Sequence, residues 1–319
     1  MSFWIDHLQC PDCGTGALPA DLDSDRIACP RCGAGFQVID RRPVLIKHGD
    51  GLFAEVDYKH AIKASQAVSD TGWHLSSLVP SPSVNLSKHR VLRRLVEILD
   101  SRGPVNLLVV GGGKQRTWLD PVLLAAVPHR VCYVDIDVGA LVDVFCDAHD
   151  IPFMDQTFDG VITTAVLEHV MYPERVAAEM ARVLRPDGLI YSELPFMQQV
   201  HEGAYDFTRY TLSGHRRLLN AFSEIEVGMV AGPATALVWA IENLALALAP
   251  NSLRRASKAI VRLLLGWVKY LDWFLKHRPQ AMDGASCTYF LGRRRHGTER
   301  TADSEIVRTY IGGGHLTHT

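Results

Sequence analysis

The run Val105-Asn-Leu-Leu-Val-Val110-Gly111-Gly112-Gly113, followed at 130–137 by Arg-Val-Cys-Tyr-Val-Asp135-Ile-Asp137, decides the fold. A short, continuous apolar run suits a strand buried on both faces, the kind found in parallel sheets covered by helices. The pattern repeats along the chain. Further strands are expected at 141–145, 158–163 and 189–194, with a helix over 173–184, and then at 225–230 and 286–293. Strands alternating with crossovers place the chain in the α/β class, with a sheet covered on both faces. Ahead of the first strand, Val91, Leu92, Leu95, Val96 and Leu99 recur at helical spacing, so an amphipathic helix is expected over 86–100. Asn85 or Ser87 would cap it and Gly103-Pro104 would end it.

Ligands of such sheets bind where the strands end, so the strand ends carry the chemistry. Gly111 and Gly113 leave backbone N–H groups free to approach a ligand closely, although an ordinary flexible turn has the same composition. Asp135 lies 22 residues beyond Gly113, a position suited to accepting hydrogen bonds from ribose hydroxyls, with a solvated strand-end acid as the alternative. After the third strand, Cys146-Asp147-Ala148-His149-Asp150 forms an acidic loop that could receive an adenine amino group.

The chain has seven cysteines, and four of them form Cys10-Pro-Asp-Cys13-Gly14 and Cys29-Pro-Arg-Cys32-Gly33, with fifteen residues between the pairs. Two residues between thiolates, followed by glycine, let a tight turn aim both sulfurs at one ion, and two such turns close a tetrahedral zinc site. Four thiolates leave no open position, which makes the expected Zn2+ structural. Cys132, Cys146 and Cys287 are expected to stay reduced and buried near strands.

These passages carry two resemblances. The segment from Leu8-x-Cys-Pro-x-Cys to 36–46 resembles the small zinc-ribbon activator subunit of tRNA, rRNA and release-factor methyltransferases. Residues 105–230 resemble the class I S-adenosylmethionine-dependent methyltransferases of type 11. That likeness rests on Asp147-Ala-His-Asp-Ile-Pro-Phe153, Val166-Leu-Glu-His-Val170 and Ala181-Arg-Val-Leu-Arg-Pro-Asp-Gly-Leu-Ile-Tyr191. It implies a Rossmann-like seven-stranded sheet and S-adenosylmethionine as cofactor. Gly111 and Gly113 would face its methionine part, Asp135 its ribose, and Asp147 with Ala148 its adenine. The family pattern has an acid where Val109 stands and a glycine where Gln115 stands. A degenerate domain serving as a binding or membrane-docking scaffold is therefore an alternative to the enzyme.

Catalytic candidates fall in Pro195-Phe-Met-Gln-Gln-Val-His201-Glu-Gly-Ala-Tyr205-Asp206-Phe-Thr-Arg209-Tyr-Thr211, which resembles a segment of many bacterial type 11 relatives. An alcohol acceptor must lose a proton, a task for His201, with Asp206 orienting the ring and Arg209 binding an anionic acceptor. Asp206 and Arg209 read equally well as a pair that fixes the loop, with Thr211 capping the next helix. Glu168 and His169, just past the fourth strand, read as structural. The Asn/Asp-Pro-Pro-aromatic segment of amide and adenine N-methyltransferases is missing after that strand, where Thr163-Thr-Ala-Val-Leu-Glu stands. The acceptor is expected to be a hydroxyl of a small molecule or glycan, with RNA or protein as the alternative.

Formal charge is −2, from 33 basic and 35 acidic residues, so the chain as a whole offers no attraction to nucleic acid. Nucleic acid is not the favoured partner. No apolar run is long enough to span a bilayer and the amino terminus carries an acid, so a cytoplasmic location is expected. The expected division is a zinc ribbon at 1–48, a linker or lid at 49–85, the methyltransferase-like domain at 86–295 with a helical insert at 233–280, and a disordered tail at 296–319. In the insert, Arg255, Arg262, Lys269 and Lys276 recur at heptad spacing over 252–276. That basic face would be solvated over a packed apolar one, or would contact an anionic membrane or an RNA backbone.

Overall fold

The computed structural model describes residues 2–14, 17–49, 81–100, 104–114 and 130–314. A three-stranded antiparallel sheet near the amino terminus joins β1 (Arg26–Ala28), β2 (Gly35–Ile39) and β3 (Arg42–Pro43) in that order. The large sheet contains β4 (Leu107–Val110), β5 (Val131–Asp135), β6 (Val144–Phe145), β7 (Phe158–Thr164), β8 (Leu184–Pro195), β9 (Phe222–Ala231) and β10 (Cys287–Arg294). Its order is β6-β5-β4-β7-β8-β10-β9. β4 to β8 pair in parallel, and β10 runs antiparallel to both β8 and β9.

The helices are α1 (Lys88–Asp100), α2 (Pro173–Val183), α3 (Leu212–Leu218), α4 (Pro233–Leu248), α5 (Arg254–Leu265) and α6 (Asp303–Arg308), with shorter turns at Asp272–Leu275 and Pro279–Met282. The period of two in β4 divides the core. Leu107 and Val109 pack with the five buried residues of α1, whereas Leu108 and Val110 pack with α2 and the amino-terminal module on the other face. α1 buries the side chains its spacing predicts, and Asn85 Oδ1 caps it by accepting from Lys88 N at 2.8 Å. Thr211 caps α3, as its sequence position implies, by accepting from Gly214 N at 3.1 Å.

The amino-terminal module lies against the β6 edge of the large sheet. Leu45 N donates to Phe145 O at 2.8 Å, and Val44 bridges Phe145 in parallel, so the strand end after β3 continues the sheet. Leu8 bridges Phe153, with Gln9 N donating to Pro152 O and Met154 N to His7 O, both at 2.9 Å. Trp4, Leu8, Leu18, Phe36 and Leu45 join the same buried cluster as Phe153 and Phe158. The module has too few residues for an independent core, and the larger domain supplies one.

Two stretches of this fold depart from expectation. The fifth strand begins at Leu184, before Arg185-Pro-Asp-Gly188, with Asp187 at φ +62° forming the bend. Residues 296–314 are not a featureless tail. α6 buries Ile306 and docks on α3, where Arg216 Nη1 donates to Ile306 O at 3.2 Å and Thr309 O at 3.1 Å. Of the expected linker, residues 50–80 lie outside the described residues, as does Gln115.

His215 of α3 is fully buried between Thr288 Oγ1 at 3.2 Å and Ser192 Oγ at 3.0 Å, and burial pushes its pKa down to about 3. An unfolded chain would bind that proton near pH 6.5 while the folded one would not, so stability rises with pH between these values. The melting temperature of wild type should therefore fall more between pH 7 and pH 4 than that of His215→Gln. Equal losses in the two proteins would remove His215 as the cause.

Candidate functional site

Cys10, Cys13, Cys29 and Cys32 meet with all four sulfurs within 4.8 Å of one another. Cys10 Sγ is 3.7 Å from Cys32 Sγ and Cys13 Sγ is 3.8 Å from Cys29 Sγ. A tetrahedron with Zn–S bonds of about 2.3 Å has edges of about 3.8 Å, so the donor set fits Zn2+. Each knuckle closes in the same way. Gly14 and Gly33 take φ of +60° and +76° and donate back to Cys10 O and Cys29 O at 2.9 and 3.0 Å. Burial pushes the Cys10 thiol up to about 12, so a metal there must displace its proton.

At the strand ends, Gly111 has φ +81° and Gly113 φ +64°. A Cβ on Gly111 would come within 2.1 Å of Val166 Cγ2, which presses the loop after β7 onto this turn. Beside Gly113 a Cβ would meet nothing within 4 Å, leaving open space for a ligand. Asp135 accepts from Gly113 N and from Asp137 N, each at 2.9 Å. These bonds hold the turn and use one lone pair on each oxygen, so acceptor capacity for a ribose remains. Burial raises the Asp135 pKa. Asp147 Oδ1 accepts from His149 N at 2.9 Å and contacts His149 Nδ1 at 2.6 Å, which orders Ala148 beside it. The residues expected for the cofactor therefore lie along the C-terminal ends of β4, β5 and β6 and have donor and acceptor atoms suited to S-adenosylmethionine.

The catalytic candidates form one polar cluster that also takes in the pair past β7. His201 Nε2 is 3.1 Å from His169 Nε2. Glu168 Oε1 is 3.7 Å from His169 Nε2 and 3.9 Å from His201 Nε2. Glu168 is wholly buried, neither of its carboxylate oxygens has a hydrogen-bond partner, and burial pushes its pKa up to about 8. Burial lowers the pKa of His169. The loop is stitched to this point by its backbone, with Phe207 N donating to Glu168 O at 2.8 Å.

Arg209 spends all five of its N–H groups inside the loop. Nε donates to Gln198 O, Nη1 to Asp206 Oδ1 and Thr208 O, and Nη2 to Asp206 Oδ2 and Gln199 O. It has no donor left for an anionic acceptor, so the loop-fixing reading replaces the anion-binding one. Burial works to raise the Asp206 pKa, but the Arg209 bonds and His201 N, donating to Asp206 Oδ2 at 2.9 Å, hold it well below the usual carboxylate range. Asp206 and Arg209 are positioning residues, and removing one partner of such a buried pair costs about 3 to 5 kcal/mol. Sequence reasoning assigned Glu168 and His169 to structure because the pair would open a helix, where charge and capping are ordinary; the structure has a loop there instead. The signal available was their place at the end of the central β7, beside the strand feeding the His201 loop.

A cleft of about 490 Å³ adjoins the cluster, lined by Gln198, Gln199, Asp206, Phe207 and Arg209 and closed on one side by Asn243 of α4. The insert departs from expectation at its centre, although Arg255 and Lys276 are exposed as expected. Arg262 faces inward to Glu242, with Nε–Oε2 of 2.6 Å and Nη2–Oε1 of 2.9 Å, and Lys269 is buried and donates to Ser81 O at 2.5 Å. Leu263, Leu264, Trp267, Trp273 and Phe274 are instead exposed, Phe274 by 80%. The charge requirement of buried Glu242 outweighs the burial of that apolar stripe. Buried Asp272 accepts from Ala234 N and Thr235 N, at 2.9 and 3.0 Å, and so caps α4 from across the insert. Among the described residues, no helix is long and apolar enough to cross a membrane.

Residues 108–192, from β4 into β8, match the family model described as "Methyltransferase domain". One curated relative is the ubiquinone/menaquinone biosynthesis C-methyltransferase UbiE of Bordetella avium, 37% identical over 68 residues, or 21% of this chain and 27% of that protein. The chain thus spans about a quarter of that relative's length. Similar solved structures include Haemonchus contortus phosphoethanolamine N-methyltransferase 2 in complex with S-adenosyl-L-methionine. It is 18% identical at a TM-score of 0.39, over 64% of this chain and 52% of that one. Another is the complex between the Haloferax volcanii Trm112 methyltransferase activator and a methyltransferase, 16% identical at a TM-score of 0.40, over 76% of this chain and 98% of that one. Chemistry is not assigned from likenesses so distant. The segment that matches the methyltransferase domain runs from β4 into β8 of the seven-stranded sheet, and the module with the four-cysteine cluster lies on the β6 edge of that sheet.

Elemental analysis of purified protein should find about one zinc per chain. Cys10→Ser should lose most of it and melt at a lower temperature, since metal binding supplies folding free energy to so small a module. Full zinc occupancy in that variant would contradict the tetrad.

Proposed function

We propose that the chain is an S-adenosylmethionine-dependent methyltransferase whose acceptor is a hydroxyl of a small molecule or glycan. The observation that carries this reading is the convergence of Glu168 Oε1 and His169 Nε2, within the segment that matches the methyltransferase domain, with His201 Nε2 from the loop beyond it; Val166 of the same loop as Glu168 packs on the Gly111 turn. The bound cofactor supplies an electrophilic methyl group. The chain's part is to hold the acceptor in line with that carbon, and such positioning is worth up to about 7 to 11 kcal/mol. Gly111 and Gly113 let the backbone close on the ligand, and Asp135 and Asp147 offer the acceptors that fix its ribose and adenine. An alcohol also has to shed a proton, and the cluster of Glu168, His169 and His201, which meets the cleft through Asp206, supplies groups that promote that loss. Asp206, clamped by Arg209, keeps His201 turned toward Glu168 and His169. Among the described residues lining this cleft the cation is Arg209, whose N–H groups are all engaged within its own loop, which supports a small or glycan acceptor over RNA.

Methyl transfer from labelled S-adenosylmethionine into a lysate, followed by identification of the product, tests the reading. Label is expected in a low-molecular-weight or glycan fraction, with His201→Ala reducing turnover about 10²- to 10⁴-fold and Gly111→Ala abolishing cofactor binding through the Val166 clash. Label confined to RNA or protein would overturn the acceptor class. No cofactor binding by wild type would overturn the activity and favour a scaffold.

The insert supports a second element of the function, contact with an anionic membrane. Exposed Trp267, Trp273 and Phe274 sit among exposed Arg254, Arg255, Lys258, Lys276 and Arg278, and α4 of the same insert walls the acceptor cleft. Apolar wedges flanked by cations are what an interfacial helix pair presents to lipid. The protein should float with vesicles containing anionic lipid and less so with neutral ones. Trp273→Ala with Phe274→Ala should abolish flotation while cofactor binding is kept, and unchanged flotation would exclude the insert as the contact.

A further inference from the structure

We infer that Glu168, His169 and His201 form a binding site for a divalent first-row transition-metal ion, distinct from the four-cysteine site and placed to receive the acceptor's oxygen. The inference rests on the methyltransferase reading for its use, but the site itself stands on geometry. The three facing atoms lie 3.1, 3.7 and 3.9 Å apart, and the circle through them has a radius of about 2.1 Å. That radius equals ordinary metal–imidazole and metal–carboxylate bond lengths of about 2.0 to 2.2 Å.

Proton bookkeeping points the same way. His169 Nδ1 is 2.8 Å from Tyr205 O, which can only accept, so this nitrogen carries the ring proton and Nε2 presents a lone pair. His201 Nδ1 lies 3.3 Å from Gln199 O and 3.5 Å from Asp206 Oδ2, both acceptors, and 3.5 Å from Arg209 Nη2, whose two hydrogens go to the closer Asp206 Oδ2 at 2.7 Å and Gln199 O at 3.1 Å. Its Nε2 presents a lone pair as well. Both rings thus donate through Nδ1 to an oxygen and aim Nε2 inward, the arrangement that orients imidazoles on a metal. Between them sits Glu168, fully buried, its carboxylate oxygens without a hydrogen-bond partner and too far from either ring for a hydrogen bond. Two ring nitrogens and a carboxylate oxygen converge on one point, and a cation there would satisfy them in place of a proton.

Two imidazoles and one carboxylate suit Mn2+, Fe2+, Co2+ or Zn2+ better than Mg2+, and three protein ligands leave positions open. The ring edges of His169 and His201 are partly exposed, which leaves those positions accessible from solvent. An acceptor hydroxyl bound there acidifies and releases its proton to solvent. Its oxygen then forms the O–C bond as the C–S bond of S-adenosylmethionine breaks, and sulfur keeps the electron pair.

The test is Mn2+ binding by the full-length protein with its cysteine-bound zinc in place, followed by loss of the free-ion electron paramagnetic resonance signal. S-adenosylmethionine binding is measured in parallel by calorimetry. One saturable Mn2+ per chain is expected, weakened at least tenfold in isosteric Glu168→Gln and in His201→Ala, with wild-type melting and cofactor binding as evidence that the variants fold. Wild type that binds S-adenosylmethionine but no Mn2+, or variants that bind Mn2+ as tightly as wild type, would overturn the metal site alone. Absence of S-adenosylmethionine binding with Mn2+ still bound at these residues would leave the metal site standing and overturn the methyltransferase reading.

Discussion

Two-sided burial of the central strands is the constraint on which the molecule is built. Every residue of β4 is buried, with successive side chains entering cores on opposite faces. A strand with no solvent face must be covered above and below, which places α1 on one side and α2, α3 and the ribbon on the other. Apart from the hydrogen-bonded His215, Ser192 and Thr288, polar groups are largely kept out of both layers and collect where parallel strands end. The glycine turn, Asp135, Asp147 and the loops after β7 and β8 share one edge for that reason.

Within that edge, the Asp206 to Arg209 clamp does the positioning. A loop of this length between a strand and a short helix has little apolar surface to hold it, and ordering it costs conformational entropy. The guanidinium compensates by binding three backbone carbonyls and a buried carboxylate at once. His201 is thereby delivered to residues more than thirty positions earlier in the chain. Arg209 contributes to the site while facing away from the acceptor.

The two appended elements solve opposite problems. The ribbon lacks a core of its own and gains one by pairing along β6, an edge strand otherwise open to unwanted pairing. The insert has apolar surface in excess. Because Glu242 is buried, Arg262 must turn inward, and Trp267, Trp273 and Phe274 are left on the outside. Heptad spacing of the bases alone pointed to the reverse orientation, since periodicity identifies two faces without saying which one is covered.

From the sequence alone came the strands from β4 to β10, the buried stripe of α1, its cap as Asn85 or Ser87, the Thr211 cap, the metal tetrad and the glycine turn. These are encoded locally, in side-chain period, turn chemistry and cysteine spacing, and they need no knowledge of neighbours. Strand bounds were less legible, as the bend at Asp187 and the docked α6 show, because ladder pairing and a partner surface decide them. Only the tertiary structure decided that Glu168 and His169 face His201, that Arg209 is fully engaged, and that the insert turns its apolar side out. Each depends on a contact between segments far apart in the chain, and a single sequence, which records residue types in order, does not contain those distances.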